Sequence, residues 1–310
     1  MRRLVRYFVI FVVCLLFTAL ALSFIFGRSL VSGMAKDNSF FFRLETLLIK
    51  DEPKDVVLRP EKTVRFVEGW TNRDMGQYLE GQGIWQSEEL LEVAGFPQVN
   101  YDLVSELPRP VDFSERFTFL ADKPKNRGLE GYLYPDTYRI YASSSTPVDL
   151  LEKMLVNFDK RLTAQMRADI AKQGKTIYEI VTMASILEKE APINYATGDN
   201  RDAKIVAGIF WDRIKVGQAL QSCASLAYIL GVNKAQYSTE DTQVESDYNT
   251  YKYPGLPPGP ISNPGILAIE AAIYPIRTNY NYFLTPAGSK EMIYAATYAE
   301  HLRNKAQYLP

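Results

Sequence analysis

The 310-residue sequence predicts an α+β fold that follows an N-terminal transmembrane helix. Amphipathic helices and short alternating strands are interspersed without the regular strand–helix–strand rhythm of a parallel sheet, which favours α+β over a doubly wound sheet. An uncharged apolar run at 7–26 has the length of a bilayer-spanning helix. We expect five segments: a cytoplasmic N-terminus at 1–6, the transmembrane helix at 7–26, a tether at 27–61, a small α/β subdomain at 62–128 and a mixed α+β domain at 129–310.

The charges beside the apolar run predict its orientation. Arg2, Arg3 and Arg6 precede it, so the positive-inside rule places the N-terminus in the cytoplasm and the rest of the chain outside. A signal peptide cleaved at the small residues around Ala21 is the alternative. Because the run is long for a signal core and continues through Phe26, we favour an uncleaved single-pass membrane anchor.

The small subdomain is expected to begin with a strand and two helices. Residues 64–67 alternate like a strand. Thr71, with Asp74 three positions later, fits a capping box at the start of a short helix. A second helix is expected at 87–94, and the prolines and basic residues that follow it are typical of loops.

The larger domain is expected to contain a strand, four further helices and a hairpin. The run LEGYLYPDTYRI at 129–140 alternates in a way that predicts a strand ending at the turn Pro135-Asp136. The other elements are identified by caps, apolar stripes or a turn glycine. They are a helix from Thr146-Pro147, helices at 175–192 and 201–216, a helix from Asn263-Pro264 to Ala272, a hairpin of 282–285 with 292–295 around Gly288, and a last helix capped by Thr297 with Glu300.

One of these helices carries two acids at its C-terminal end. Thr176 and Glu179 fit a capping box at its start, and its apolar stripe is typical of a helix packed on a core. Glu188 and Glu190 occupy its last turn, before Pro192 ends it. A carboxyl partly withdrawn from water at such a place can act as a general acid. The stretch alone favours the alternative, a solvated helix end.

Residues 218–265 show little periodicity and are rich in polar and turn residues. So long a stretch inside a domain is more often a binding or catalytic loop than a connector. Its Gly-Leu-Pro-Pro-Gly core restricts the backbone and predicts a stiff wall. A structural Ω-loop packed by its tyrosines is an equally weighted alternative.

Composition argues against several classes of function. The 35 basic and 36 acidic residues are balanced, so no nucleic-acid footprint is visible. His301 is the only histidine, which argues against Ser-His-Asp catalysis and multi-histidine metal sites. The two cysteines, Cys14 and Cys223, are not expected to pair because Cys14 lies in the apolar run. The 20 tyrosines suit either carbohydrate stacking or a β-rich surface.

Five segments between residues 64 and 309 together form a specific pattern. They are LEGYLYPDTYRI, VTMASILEKEA, IVAGIFWDRIKVGQALQS, YNTYKYPGLPPGPISNPGILAIEAAIYP and YFLTPAGSKEMIYAATYAEHLRNKAQYL. In order and spacing they resemble the endolytic murein transglycosylases of the MltG (YceG-like) type. The segment at 129–310 therefore resembles a YceG-like catalytic domain.

The resemblance implies an inner-membrane enzyme that cuts peptidoglycan strands internally, between N-acetylmuramic acid (MurNAc) and N-acetylglucosamine (GlcNAc), leaving 1,6-anhydroMurNAc ends. It implies that one glutamate carries the proton transfers, and that role falls on Glu190. No cofactor or metal is expected, and the implied partners are glycan strands, the membrane and a peptidoglycan synthase of the penicillin-binding type. The positions expected to bind substrate are Glu188, Gln221, Ser222, Tyr248, Asn249 and Thr250.

The sequence departs from the family pattern in two places. Many members carry a LysM-like glycan-binding subdomain where this chain has the short tether. Cys223 and Ala224 replace the family's usual acid and proline, so an enzyme that used that acid would be slower here. Two alternatives stay open, a hydrolytic muramidase that cuts the same bond and a non-catalytic glycan-binding or scaffold protein of cell-wall synthesis.

Overall fold

A computed structural model describes residues 61–141, 144–234, 236–286, 288–289 and 291–309. The expected transmembrane helix at 7–26 and all of the tether before Glu61 lie outside these residues. Within the described ranges, no helix has the length and apolar character needed to cross a bilayer.

The described residues form helices and short antiparallel strands, which confirms the mixed α+β class. The strands are β1 (Glu61–Arg65), β2 (Thr137–Tyr141), β3 (Tyr282–Leu284) and β4 (Ile293–Ala295). The helices are α1 (Asn72–Gly81), α2 (Ser87–Ala94), α3 (Pro147–Arg161), α4 (Ala164–Lys172), α5 (Ile177–Glu190), α6 (Arg201–Lys215), α7 (Cys223–Leu230), α8 (Ile266–Ile273) and α9 (Tyr298–Tyr308).

The strands form two antiparallel ribbons, of which the first joins distant parts of the chain and the second is a local hairpin. Strand β1 pairs with β2, with Glu61 opposite Tyr141 and Arg65 opposite Thr137. Strand β3 pairs with β4 across the predicted hairpin, with Leu284 opposite Ile293. The first ribbon crosses the expected boundary between 62–128 and 129–310, and that division stays a prediction.

Local capping signals correctly mark several helix starts. Thr71 and Asp74 form the capping box of α1, and Thr176 and Glu179 form that of α5. At the start of α9, Thr297 accepts a hydrogen bond from a backbone N–H in the first turn. These caps satisfy backbone donors that have no partner within the helix, so their signals hold without help from the rest of the fold.

We expected a strand in LEGYLYPDTYRI that ends at the turn Pro135-Asp136, and this prediction is wrong. Residues 129–136 form turns, and β2 begins only at Thr137, after the proline. All residues from 129 to 135 are buried, so the apparent alternation does not separate a core face from a solvent face. Gly131 has a φ of +90°, and a Cβ there would lie 2.6 Å from Pro260 and 2.7 Å from Val181. The segment is therefore a turn packed against α5 and the proline-rich loop.

Two helices were not predicted. Helix α4 is capped by Thr163, which accepts from the Met166 N–H at 3.2 Å. Helix α7 lies inside the stretch that we expected to lack regular structure, and it ends at Gly231 with a φ of +67°. Its eight residues include tyrosine and leucine on several sides, so no polar face marks it as an amphipathic helix.

Helix α5 is the centre of the fold. Every side chain from Ile180 to Leu187 is buried, and the helix packs against α6, α7 and α8. Helix α6 in turn supports the chain that leads into β3. A Cβ on Gly208 would lie 2.3 Å from the carbonyl oxygen of Ile276, whose N–H donates to Lys204 O at 2.9 Å.

Candidate active site

Glu190 stands at the end of α5, where the core meets a groove. The helix is enclosed along most of its length, so its last turn has a defined position. Ala191 then leaves the helix in an extended conformation, and Pro192 follows. The Glu190 side chain is half-buried, which is the environment that a general acid requires.

The N-terminus of α7 holds one oxygen of this carboxyl. Glu190 Oε1 accepts from Ser222 Oγ at 2.5 Å and from the Ala224 N–H at 3.0 Å. Burial raises the pKa of Glu190, and the hydrogen bonds from Ala224 and Ser222 oppose that rise. The Cys223 N–H also lowers this pKa, but the two close hydrogen bonds from described residues both go to Oε1, which leaves Oε2 as the oxygen for a ligand.

Thr250, Asn249 and Gln221 build the support behind Ser222. The Ser222 N–H donates to Thr250 Oγ1 at 3.0 Å, and the Gln221 N–H donates to Thr250 O at 3.0 Å. Asn249 is fully buried and its Nδ2 donates to Val244 O at 2.8 Å, which fixes the loop ahead of Thr250. Gln221 adopts a φ of +54°, an unusual value for a residue with a side chain, and that side chain is exposed.

Glu188 leaves α5 on the other side. Its Oε2 accepts from Tyr195 OH at 2.5 Å and from the Gly265 N–H at 3.0 Å. Burial raises its pKa, opposed by the hydrogen bond from Tyr195. Glu188 lines neither of the two cavities that border Glu190.

Two cavities border Glu190, and together they form a groove. The cationic cavity, of about 390 Å³, has a polar lining that includes Arg73, Asp74, Gln77, Gln98, Lys189 and Lys234. The aromatic cavity, of about 560 Å³, has a lining that includes Tyr251, Tyr282, Phe283, Tyr298 and His301. Glu190 and Cys223 line both. The carboxyl therefore sits where a chain running from one cavity to the other would pass.

Tyr248 lies apart from this groove. It is buried, its ring lies 5.3 Å from that of Tyr228, and the Arg127 guanidinium lies 5.8 Å from its centroid. The structure thus brings Ser222 to Glu190, places Gln221 in the aromatic cavity, and gives Thr250, Asn249 and Tyr248 buried positions behind the groove wall.

Several residues at the groove were not predicted. Tyr251 OH lies 3.1 Å from Cys223 Sγ, and burial raises the pKa of both groups. Arg213 donates to Leu220 O at 2.5 Å and lines the aromatic cavity. Tyr251 directly follows Thr250 in the YNTY run, so that motif could have indicated it. No local signal could have placed Arg213.

A third buried carboxyl belongs to Glu130 of the LEGYLYP run. Its Oε1 accepts from the Asn72 N–H at 2.9 Å and from Asn263 Nδ2 at 3.1 Å, and its Oε2 accepts from Tyr228 OH at 3.4 Å. Burial raises its pKa to about 8. Since Tyr228 belongs to α7, this network connects to the helix whose N-terminus binds the Glu190 carboxyl.

The described residues show no cluster of three or more His, Cys, Asp or Glu side chains that could hold a metal ion. The chemistry that the groove residues offer is proton transfer by the Glu190 carboxyl, beside aromatic rings and cations.

Comparison with known proteins decides the family. The profile of the YceG-like family matches residues 42–307. The chain belongs to the YceG-like family. A solved structure of a YceG-like protein from Listeria monocytogenes superposes with a TM-score of 0.65 at 28% identity, covering 84% of this chain and 81% of that one.

Curated relatives of this YceG-like chain carry one name, endolytic murein transglycosylase. The Bacillus subtilis protein is 32% identical over 181 residues, covering 58% of this chain and 48% of that protein. The protein of Streptococcus pneumoniae strain D39 is 30% identical over 266 residues, covering 84% of this chain and 46% of that protein. This chain thus spans about half the length of these relatives.

Proposed function

We propose that this YceG-like chain is an endolytic lytic transglycosylase that cleaves the MurNAc–GlcNAc bond within peptidoglycan strands and leaves 1,6-anhydroMurNAc ends. The names of the curated relatives support the substrate class. The observation that carries the proposal is one half-buried carboxyl, Glu190, at the junction of two cavities. An enzyme that cuts inside a strand needs room for sugars on both sides of the bond, and the two cavities provide it.

Glu190 acts first as an acid. Ser222 and the Ala224 N–H hold Oε1, so the proton is carried by Oε2. The raised pKa favours the protonated form. Glu190 gives this proton to the GlcNAc O4 as the bond to MurNAc C1 breaks, and MurNAc develops oxocarbenium character.

Glu190 acts next as a base. Its carboxylate takes the proton of the C6 hydroxyl of the same MurNAc while O6 bonds to C1, which closes the 1,6-anhydro ring and returns the proton to Glu190. No water is consumed, and the nucleophile comes from the substrate. A second carboxylate, which ordinary glycosidases use, is therefore unnecessary.

The groove supports a transglycosylase over a hydrolytic muramidase. Asp74 is the one other carboxylate among the described residues that line the two cavities. Its Oδ2 accepts from the Thr71 N–H at 2.8 Å and from Thr71 Oγ1 at 2.9 Å, so it is engaged in the cap of α1. Such a commitment is unfavourable for a nucleophile or a water-activating base.

Membrane attachment and partners complete the proposal. The apolar run at 7–26 and the arginines before it support a single-pass anchor with the catalytic domain outside the cytoplasm. An enzyme tethered there would meet glycan strands close to the membrane, where a peptidoglycan synthase of the penicillin-binding type is a fitting partner.

The deciding experiment uses the full-length chain on purified peptidoglycan, with mass spectrometry of the new ends. We expect internal 1,6-anhydroMurNAc ends from the wild type and none above background from Glu190→Gln. Reducing MurNAc ends would show a muramidase instead. Binding without cleavage by the wild type would show a scaffold protein.

A further inference from the structure

The cationic cavity is lined by three cations and, besides Glu190, by one acid, Asp74, whose Oδ2 is engaged with Thr71. Arg73 is exposed and makes no hydrogen bond or ion pair with a described residue. Lys189 is exposed, and its Nζ donates only to Gly69 O at 3.3 Å. Lys234, by contrast, is paired with Asp241 at 2.8 Å. Arg73 and Lys189 are therefore the cations available to a ligand.

The aromatic cavity has a different surface. Tyr282 stacks on His301 with the ring centroids 5.2 Å apart, and lies 5.8 Å from the ring of Tyr298. The Arg213 guanidinium at this end is engaged with backbone carbonyls of Leu220 and Asn281. This end of the groove thus offers flat rings, which suit the apolar face of a sugar. Its arginine is already occupied, and its remaining cation is the exposed lysine Lys305, which lacks the paired donors of a guanidinium.

The two sugars at the scissile bond differ in charge, as the linings of the two cavities differ in the cations they offer. MurNAc carries a lactyl ether to which a peptide with free carboxylates is attached, whereas GlcNAc carries no charged substituent. Since MurNAc supplies C1 and GlcNAc supplies O4, they lie on opposite sides of Glu190. A guanidinium binds a carboxylate through paired, charge-assisted hydrogen bonds, and GlcNAc needs only stacking and hydroxyl contacts.

We propose that the groove fixes the direction of the strand: the MurNAc to be cleaved lies at the cationic cavity, where Arg73 binds its peptide, and the leaving GlcNAc stacks in the aromatic cavity. This assignment rests on the proposed function. Arg73 then determines the preference for peptide-bearing MurNAc. Tyr282 stacks on GlcNAc whether or not the neighbouring MurNAc carries a peptide.

The test uses glycan strands from which an amidase has removed part of the stem peptides. Every cleavage turns the MurNAc on the cationic side into an anhydro end, and mass spectrometry shows whether that end bears a peptide. We expect the wild type to favour peptide-bearing ends. Arg73→Ala should reduce their ratio to bare ends about 5- to 10-fold, with Arg73→Lys intermediate. Tyr282→Ala should lower total cleavage and leave the ratio unchanged.

Lys172→Ala is the matched control, because Lys172 is an exposed cation on α4 that lines neither cavity. It should alter neither the rate nor the ratio. An unchanged ratio in Arg73→Ala, or a ratio that falls in Tyr282→Ala or in Lys305→Ala instead, would overturn the assignment.

A second readout separates this proposal from the proposed function. In the Glu190→Gln background, which does not consume substrate, Arg73→Ala should weaken binding of peptide-bearing strands about 5- to 10-fold and of fully stripped strands less than about 2-fold. Absence of anhydro ends from the wild type refutes the proposed function. Equal weakening of binding to both strand types refutes the role of Arg73.

Discussion

Glu188 and Glu190 belong to the same helical turn and have nearly the same hydrogen bonds, but they face different surroundings. Each has one oxygen that accepts a hydroxyl hydrogen bond at 2.5 Å and a backbone N–H at 3.0 Å. Burial raises the pKa of both. Glu188 is enclosed between Tyr195 and Gly265, whereas Glu190 borders two cavities.

The comparison shows that a raised pKa does not by itself indicate an acid for catalysis. Residues two apart on a helix project about 200° from one another, so only one of the pair can face a given groove. Access to a ligand is what distinguishes Glu190 from Glu188. The following predictions test that distinction.

The largest expected difference is between the activities of the variants Glu190→Gln and Glu188→Gln. Glu190→Gln should reduce formation of anhydro ends by about 10³-fold, because the amide cannot donate and recover the proton. Glu188→Gln should reduce it less than about 10-fold, since Glu188 acts only through the packing of α5. Initial rates on purified peptidoglycan measure both, and circular dichroism confirms that each variant is folded. Equal losses would remove the distinction.

Ser222→Ala should change the pH dependence of the reaction. Glu190 must be protonated to begin the cycle, so kcat/KM falls as pH rises through its pKa. Ser222 stabilises the ionised form, and its removal should raise that pKa and move the alkaline limb to higher pH. Tyr195→Phe removes the equivalent donor from Glu188 and is the matched control, with no expected shift. If the alkaline limb moved equally in Ser222→Ala and Tyr195→Phe, or moved in neither variant, the role of Ser222 would be contradicted.

Glu130 extends the comparison to a carboxyl that is buried and, like Glu188, lines neither cavity beside Glu190. Its folded-state pKa of about 8 lies above its ordinary value of 4.5, so the native state holds a proton in this interval that the unfolded state releases. Stability from this source is full below the ordinary value and is lost as pH rises through the folded value. Urea unfolding should show a decline between pH 5 and pH 8 that is smaller in Glu130→Gln by about 1–3 kcal/mol. The same decline in both proteins would show that other groups cause it.

Tyr195→Phe should produce the smallest effect. It removes the hydroxyl donor of Glu188 and should lower the free energy of unfolding by about 1 kcal/mol. Activity should remain within about 2-fold of wild type, because Glu188 does not border the groove. Denaturant midpoints and initial rates measure the two quantities. A large loss of activity at unchanged stability would place Glu188 in the reaction after all.

Local signals predicted the elements whose ends are determined locally. The capping boxes of α1 and α5 and the hairpin around Gly288 depend on residues a few positions apart, and each is found. Helix α7 and the turn at 129–136 depend on packing against distant segments, which no sequence window contains. The pattern could not distinguish a buried turn from a strand there.

The site could be predicted only in part for the same reason. Glu190 and Ser222 were expected in the groove from the family resemblance, and the structure brings them together across 32 positions of the chain. The role of Glu190 in catalysis stays a prediction. Arg73 comes from α1, and Tyr282 from the hairpin, so their position beside Glu190 exists only in the folded chain.

Gly208 carries a consequence for the groove although it lies outside it. The carbonyl of Ile276 approaches α6 so closely that a Cβ on Gly208 would lie 2.3 Å away. From Ile276 the chain runs to Tyr282 and the hairpin that walls the aromatic cavity. The absence of a side chain at Gly208 thus permits the close approach of the segment that leads to this cavity wall. Gly208→Ala would therefore displace the Ile276 carbonyl, and with it the start of the segment that leads to the hairpin, without altering any residue that lines either cavity.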